Sequence, residues 1–263
     1  MHDEYSRIVI GTDGSAPSRS AIMVGGAIAA RLSLPVTVVT AWKPDLAVPG
    51  AREQSWAQMT TKSADVDLSE FDIDTVERVE AKGDAATVLA DVAASSPPSL
   101  LVVGARGLGS PASRLTGSTA NQLSHHSSAD VLFVHNRLDG FKTVALATDG
   151  SATSIFAAEQ GIRLAKTFGA QVILITANSD EAAGKQVLAD VARQLDSATE
   201  LAQEVVGGDA ADAIVEAGAA YDLLVIGNRG MSGLARVLGS TANTVTHKAT
   251  SNLLLVNTTR KTG

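Results

Sequence analysis

The stretch GARGLGSPASRLTGSTAN, Gly104–Asn121, is written again with small changes as GNRGMSGLARVLGSTAN, Gly227–Asn243. Each copy follows a short apolar run, LLVVG (Leu100–Gly104) or LLVIG (Leu223–Gly227), and each ends on Gly-Ser-Thr-Ala-Asn. An uncharged run of this length reads as a strand buried on both faces. Gly-Ser-Thr ahead of an alanine reads as the start of a helix. The two copies therefore predict a strand, a glycine-punctuated loop and a helix, twice in one chain.

A second landmark, Thr-Asp-Gly-Ser, stands at Thr12–Ser15 and again at Thr148–Ser151, an offset of 136. Between Leu100 and Leu223 the offset is 123, so the second half is 13 residues shorter. The difference is expected after Trp42, in KPDLAVPGAREQSW, whose prolines and glycine read as a loop. The polar segment HNRLDGFK, His135–Lys142, carries Asp-Gly turn chemistry and separates the halves. This sets two domains, 1–138 and 139–263.

Within the first half, β-branched runs alternate with alanine-rich amphipathic segments. RIVIGT, VTVVTAW, TVERVEA, SLLVVGA and ADVLFVHN read as strands, with helices in SAPSRSAIMVGGAIAARL, DAATVLADVAAS and STANQLSHHS. The second half repeats the strands as TVALAT, VILITA, ELAQEVVG, DLLVIG and NLLLVN. The expected fold is α/β: two tandem doubly wound, Rossmann-like domains, each a five-stranded parallel sheet of order 3-2-1-4-5 with helices on both faces.

Composition narrows the function classes. The halves carry 11 basic against 15 acidic residues and 10 against 13, for a net charge of −7, which argues against nucleic acid as a partner. Aromatic residues make up 3% of the chain and leave few surfaces for base stacking. Without cysteine there are no disulfides and no thiolate chemistry. No apolar run reaches the length of a membrane span, and MHDEYSRIVIGTDGS has no export signal, so a cytoplasmic location is expected.

In a doubly wound sheet the ligand sits beyond the carboxyl ends of the strands where the order reverses. That rule sets Asp13 against Gly104 in the first half and Asp149 against Gly227 in the second. Gly104 and Gly107 allow close backbone approach, and Gly117 precedes Ser118 and Thr119 at a helix start, where unpaired N–H groups and a partial positive charge suit phosphate. Gly230, Gly239, Ser240 and Thr241 repeat these features. Arg106 and Arg114 in one half, and Arg229 and Arg236 in the other, could neutralise phosphate charge. Plain turn chemistry also explains a glycine after a strand, but the whole arrangement recurs where the intervening chain has diverged. For Asp13 and Asp149 a capped turn, the carboxylate accepting from backbone N–H groups, stays open beside a ligand role.

Competing motifs fail on context. No glycine is followed by Lys-Ser or Lys-Thr, so there is no P-loop. GLGSPA fits G-x-G-x-x-A but follows the fourth strand, and Ser232 breaks it in the second half. His125 and His247 are equivalent yet have no second ligand at a repeated spacing, so they read as packed or surface residues. No serine, histidine and acid set recurs. The acidic run DVDLSEFDID, Asp65–Asp74, reads as a solvated linker.

These residues resemble a tandem universal stress protein, from Arg7 to Asn257. The family's nucleotide motif, G-x-x-G, nine residues, then G-[ST], is met by Gly104, Gly107, Gly117 and Ser118; in the second half eight residues, not nine, separate Gly230 from Gly239. The resemblance implies ATP between strands one and four, with Asp13 and Asp149 near the nucleotide and any Mg²⁺. It places Ala41 and Ala177 against the adenine through backbone groups. It also implies dimerisation through fifth strands, so Val131–Val134 is expected to pair with Leu253–Val256 within the chain, with a homodimer as the other arrangement. The leading expectation is an ATP-binding stress-response regulator with one site per domain. A slow Mg-dependent ATPase or autophosphorylating protein, and a nucleotide-free interaction scaffold, are the alternatives.

Overall fold

The computed structural model describes residues 5–43, 52–105, 118–195, 199–228 and 238–259. The chain divides into two compact units that meet in sequence at Asp139 and Gly140. The first contains strands β1 (Arg7–Gly11), β2 (Val36–Trp42), β3 (Val76–Lys82), β4 (Ser99–Gly104) and β5 (Asp130–Val134). Its helices are α1 (Ala16–Leu32), α2 (Arg52–Leu68), α3 (Ala85–Ala94) and α4 (Ser118–His126). The second contains β6 (Thr143–Ala147), β7 (Gln171–Ala177), β8 (Leu201–Val206), β9 (Leu223–Gly227) and β10 (Asn252–Val256), with α5 (Ala152–Phe168), α6 (Glu181–Ala192), α7 (Ala210–Gly218) and α8 (Ser240–Lys248).

Within the first unit the strand order is β3-β2-β1-β4-β5, and within the second β8-β7-β6-β9-β10, all parallel. This is the 3-2-1-4-5 order expected from the alternating runs. The uncharged runs supply the central strands: Leu100–Val102 and Leu223–Leu224 are buried at 1% exposure or less, because helices cover both faces. In the first unit α1 packs with α2, and α3 packs with α4. The order reverses between β1 and β4, and between β6 and β9, which opens a crevice at their carboxyl ends.

Glycine brings the first helix of each unit close to the sheet. A Cβ on Gly25 of α1 would stand 2.7 Å from Ile10 Cδ1, and one on Gly161 of α5 would press on Leu146 Cδ2 and stand 3.0 Å from Val225 Cγ2. Both helices are pinned at their starts by serine, with Ser15 accepting from the Ser18 N–H and Ser151 from the Ser154 N–H.

Two sequence expectations are corrected. Residues 44–51 lie outside the described residues, and the loop expected over Lys43–Trp56 does not extend to its end, because helix α2 begins at Arg52. Its buried stripe is Ala57, Thr60, Thr61, Ala64 and Leu68, too small and polar to show apolar periodicity. The acidic run is likewise no solvated linker at its start. Asp67 is 6% exposed and accepts from Arg19 Nε at 2.9 Å and Nη2 at 2.6 Å, while Asp65 pairs with Arg78. Those carboxylates fasten α2 to α1 and β3. Helix α6, between β7 and β8, also had no sequence-based expectation.

Candidate functional site

Each crevice begins with the turn that links a first strand to a first helix. Thr12 and Thr148 are buried, and their hydroxyls pair with those of Ser18 and Ser154 at 3.2 and 2.8 Å. The same threonine oxygens accept from the N–H groups of Gly14 and Gly150, which sit at φ +77° and +80°. Few L side chains adopt that conformation, so Thr-Asp-Gly-Ser encodes one specific turn. Asp13 Oδ1 and Asp149 Oδ1 accept from the Ser15 and Ser151 N–H groups, each at 3.0 Å. The carboxylates therefore hold the turn, and both also line a cavity.

In the second unit the cavity measures about 290 Å³. Asp149 lies on its wall with Ala147, Thr148 and Ser154; Ala177 comes from the end of β7, and Ile226 and Gly227 from the end of β9. Helix α7 contributes Ala210 and Ile214, and the start of α8 contributes Gly239, Ser240, Thr241 and Ala242. No side chain caps α8, whereas Ser151 caps α5, Asp180 caps α6 and Asp209 caps α7. The Gly239 N–H donates to the Asn228 carbonyl at 3.0 Å, and the first turn of α8, with its partial positive charge, meets the cavity.

The first unit holds the equivalent cavity, about 110 Å³, lined by Asp13, Ala41, Gly104, Thr119, Ala120 and their neighbours. Ser118, the first residue of α4, adjoins this wall. At the rim Lys43 Nζ donates to Asp84 Oδ2 at 2.9 Å, and this hydrogen bond holds the Asp84 carboxyl below the usual carboxylate range. Asp84 also accepts from the Ala86 N–H and so caps α3.

The structure thus brings Asp13, Ala41, Gly104 and Thr119 together, and Asp149, Ala177, Gly227, Gly239, Ser240 and Thr241 together. Arg106, Gly107, Arg114, Gly117, Arg229, Gly230 and Arg236 lie outside the described residues. Sequence reasoning missed Thr12, Ser18, Ala85 and Leu89, with their counterparts Thr148, Ser154, Ala210 and Ile214. The repeat carried a usable signal, since Ala85 and Leu89 share an offset of 125 with Ala210 and Ile214. Among the described residues no group of three or more His, Cys, Asp or Glu is placed to hold a metal, and no helix is long and apolar enough to cross a membrane.

A family model described as the universal stress protein family matches residues 4–135 and again residues 140–257. This chain belongs to the universal stress protein family. Among solved structures, a universal stress protein from Archaeoglobus fulgidus DSM 4304 superposes with a TM-score of 0.75 at 18% identity, covering 96% of this chain and 97% of that one. A functionally unknown protein from Pseudomonas aeruginosa PAO1 gives 0.68 at 16% identity over 96% and 92%. These likenesses establish the fold of two universal stress protein domains in tandem. A universal stress protein solved in complex with cAMP is 31% identical over 46% of this chain and 99% of its own, with a TM-score of 0.40. No curated protein matches the chain.

Proposed function

We propose that this universal stress protein binds an adenine nucleotide, ATP foremost, in each of its two crevices, and that the nucleotide acts as a regulatory ligand in a stress response in the cytoplasm. One observation carries the reading. At the end of β9 the uncapped N-terminus of α8, Gly227 and Asp149 surround one cavity, and the first unit repeats the arrangement with Gly104, Asp13 and Thr119.

The residues fit such a ligand. Ser240 and Thr241 add hydroxyl donors to the backbone N–H groups of the first turn of α8, a suitable seat for phosphate. Ala41 and Ala177 stand at the ends of β2 and β7, where a small side chain leaves backbone groups open to a flat base. Asp13 and Asp149 would face Mg²⁺ carried by the phosphates. Bound nucleotide would supply charge and a base to be held, as a ligand or switch more than as a substrate.

The domains 1–138 and 139–263 are proposed to join through Val131–Val134 and Leu253–Val256, since apolar strands at a sheet edge need a partner. Thermal denaturation of the intact chain tests the nucleotide reading. ATP should raise the melting temperature and GTP should not; equal effects, or none, would contradict adenine recognition. At 100 times the dissociation constant a ligand adds about 2.7 kcal/mol.

A further inference from the structure

The two cavities have the same plan and different floors. In the first unit, a Cβ on Gly11 would lie 2.9 Å from Leu89 Cδ2 and 3.0 Å from Leu89 Cδ1, so the Leu89 methyls occupy the space above the end of β1. The second unit has Ala147 in place of Gly11 and Ile214 in place of Leu89. Ala147 and Ile214 both line the second cavity, which is about 290 Å³ against about 110 Å³ for the first. Only the larger approaches the size of small-molecule sites, about 300–1,000 Å³.

A second difference lies at the rim. Lys43 follows β2, Asp84 precedes α3, and their ion pair ties together the two elements that supply Ala41 and Ala85 to the wall. The second unit has Ser179 and Asp209 at these places, and serine cannot make that pair.

Resting on the nucleotide reading above, we infer that the sites are unequal. The cavity bounded by Ala147 and Ile214 takes adenine nucleotide as it stands. The cavity bounded by Gly11 and Leu89 takes it only after Leu89 swings off Gly11 and the Lys43–Asp84 pair yields. A site whose competent form is a minor population binds more weakly by that fraction, here about tenfold or more. The chain would carry one nucleotide over a wide range of concentration and a second only at high levels. The eight-residue spacing between Gly230 and Gly239 thus belongs to the tighter site.

Equilibrium dialysis of the intact chain with ATP, beside Ala41→Leu, Ala177→Leu and Leu89→Ala made in the Ala177→Leu chain, tests this. Two affinities are expected, the tighter lost with Ala177→Leu and the weaker with Ala41→Leu, and Leu89→Ala should tighten the remaining site about tenfold. Lys43→Ser, at an exposed position, should act in the same direction and serves if Leu89→Ala fails to fold. Photolabelling of the unaltered chain with 2-azido-ATP at limiting concentration should mark residues 140–261. Equal affinities, or labelling mainly of the first half, would overturn the inequality while leaving two nucleotide sites. Absence of binding and labelling throughout would instead remove the nucleotide reading itself.

Discussion

Asp149 Oδ1 accepts a hydrogen bond from the Ser151 N–H at 3.0 Å, and Asp13 repeats the bond with Ser15 at 3.0 Å. The carboxylate is therefore a structural part of the turn as well as a wall of the cavity. Asp13→Ala should cost about 1 kcal/mol without any ligand, the net worth of one such bond. Asp13→Asn keeps the acceptor oxygen and should retain stability, while weakening nucleotide binding in the presence of Mg²⁺. Urea denaturation of both variants, with and without Mg-ATP, separates the two roles; equal stability for the alanine variant and wild type would contradict the structural one.

Gly104 ends β4 with its α-carbon pressed against the start of α1. A Cβ there would lie 2.7 Å from Pro17 C and 2.8 Å from Pro17 O, both backbone atoms that cannot turn aside. Gly104→Ala should destabilise the first unit by about 1–3 kcal/mol through overpacking. Denaturant unfolding monitored by circular dichroism would show this, and an unchanged midpoint would contradict the close approach.

Tyr221 donates to Glu204 Oε2 at 2.8 Å, and burial, followed by this carboxylate, pushes its phenol from 10 up to about 12. The folded chain thus holds this proton above the pH at which the unfolded chain releases it. The contribution to stability is complete below pH 10 and is lost as pH rises through about 12. The chain has two tyrosines, so absorbance titration of a Tyr5→Phe variant isolates Tyr221. Ionisation near 10 would contradict the environment described, and Tyr221→Phe should flatten the alkaline fall in stability.

Much of the fold was legible because the chain is written twice. The uncharged runs LLVVG and LLVIG permit little but buried parallel strands, and Thr-Asp-Gly-Ser encodes a turn in which glycine takes φ near +80°. Helix α2 was hidden because its buried stripe is built from alanine and threonine, whose hydroxyls find carbonyl partners such as Thr61 to Ala57 and Gln58. The role of Asp67 was hidden for a related reason, since a carboxylate paired with an arginine 48 residues away looks in sequence like any other solvated charge. Strand ends and helix starts told where each crevice opens. They did not tell what fills it: Leu89 reaches Gly11 only because α3 lies over β1, a contact no local pattern encodes.

The central claim, that each crevice is a seat for adenine nucleotide, is tested most directly by native mass spectrometry of the intact chain titrated with ATP. The account predicts a first ATP bound at low concentration and lost with Ala177→Leu, and a second bound at higher concentration and lost with Ala41→Leu. A spectrum showing only the bare chain at every ATP concentration up to the millimolar range would contradict it.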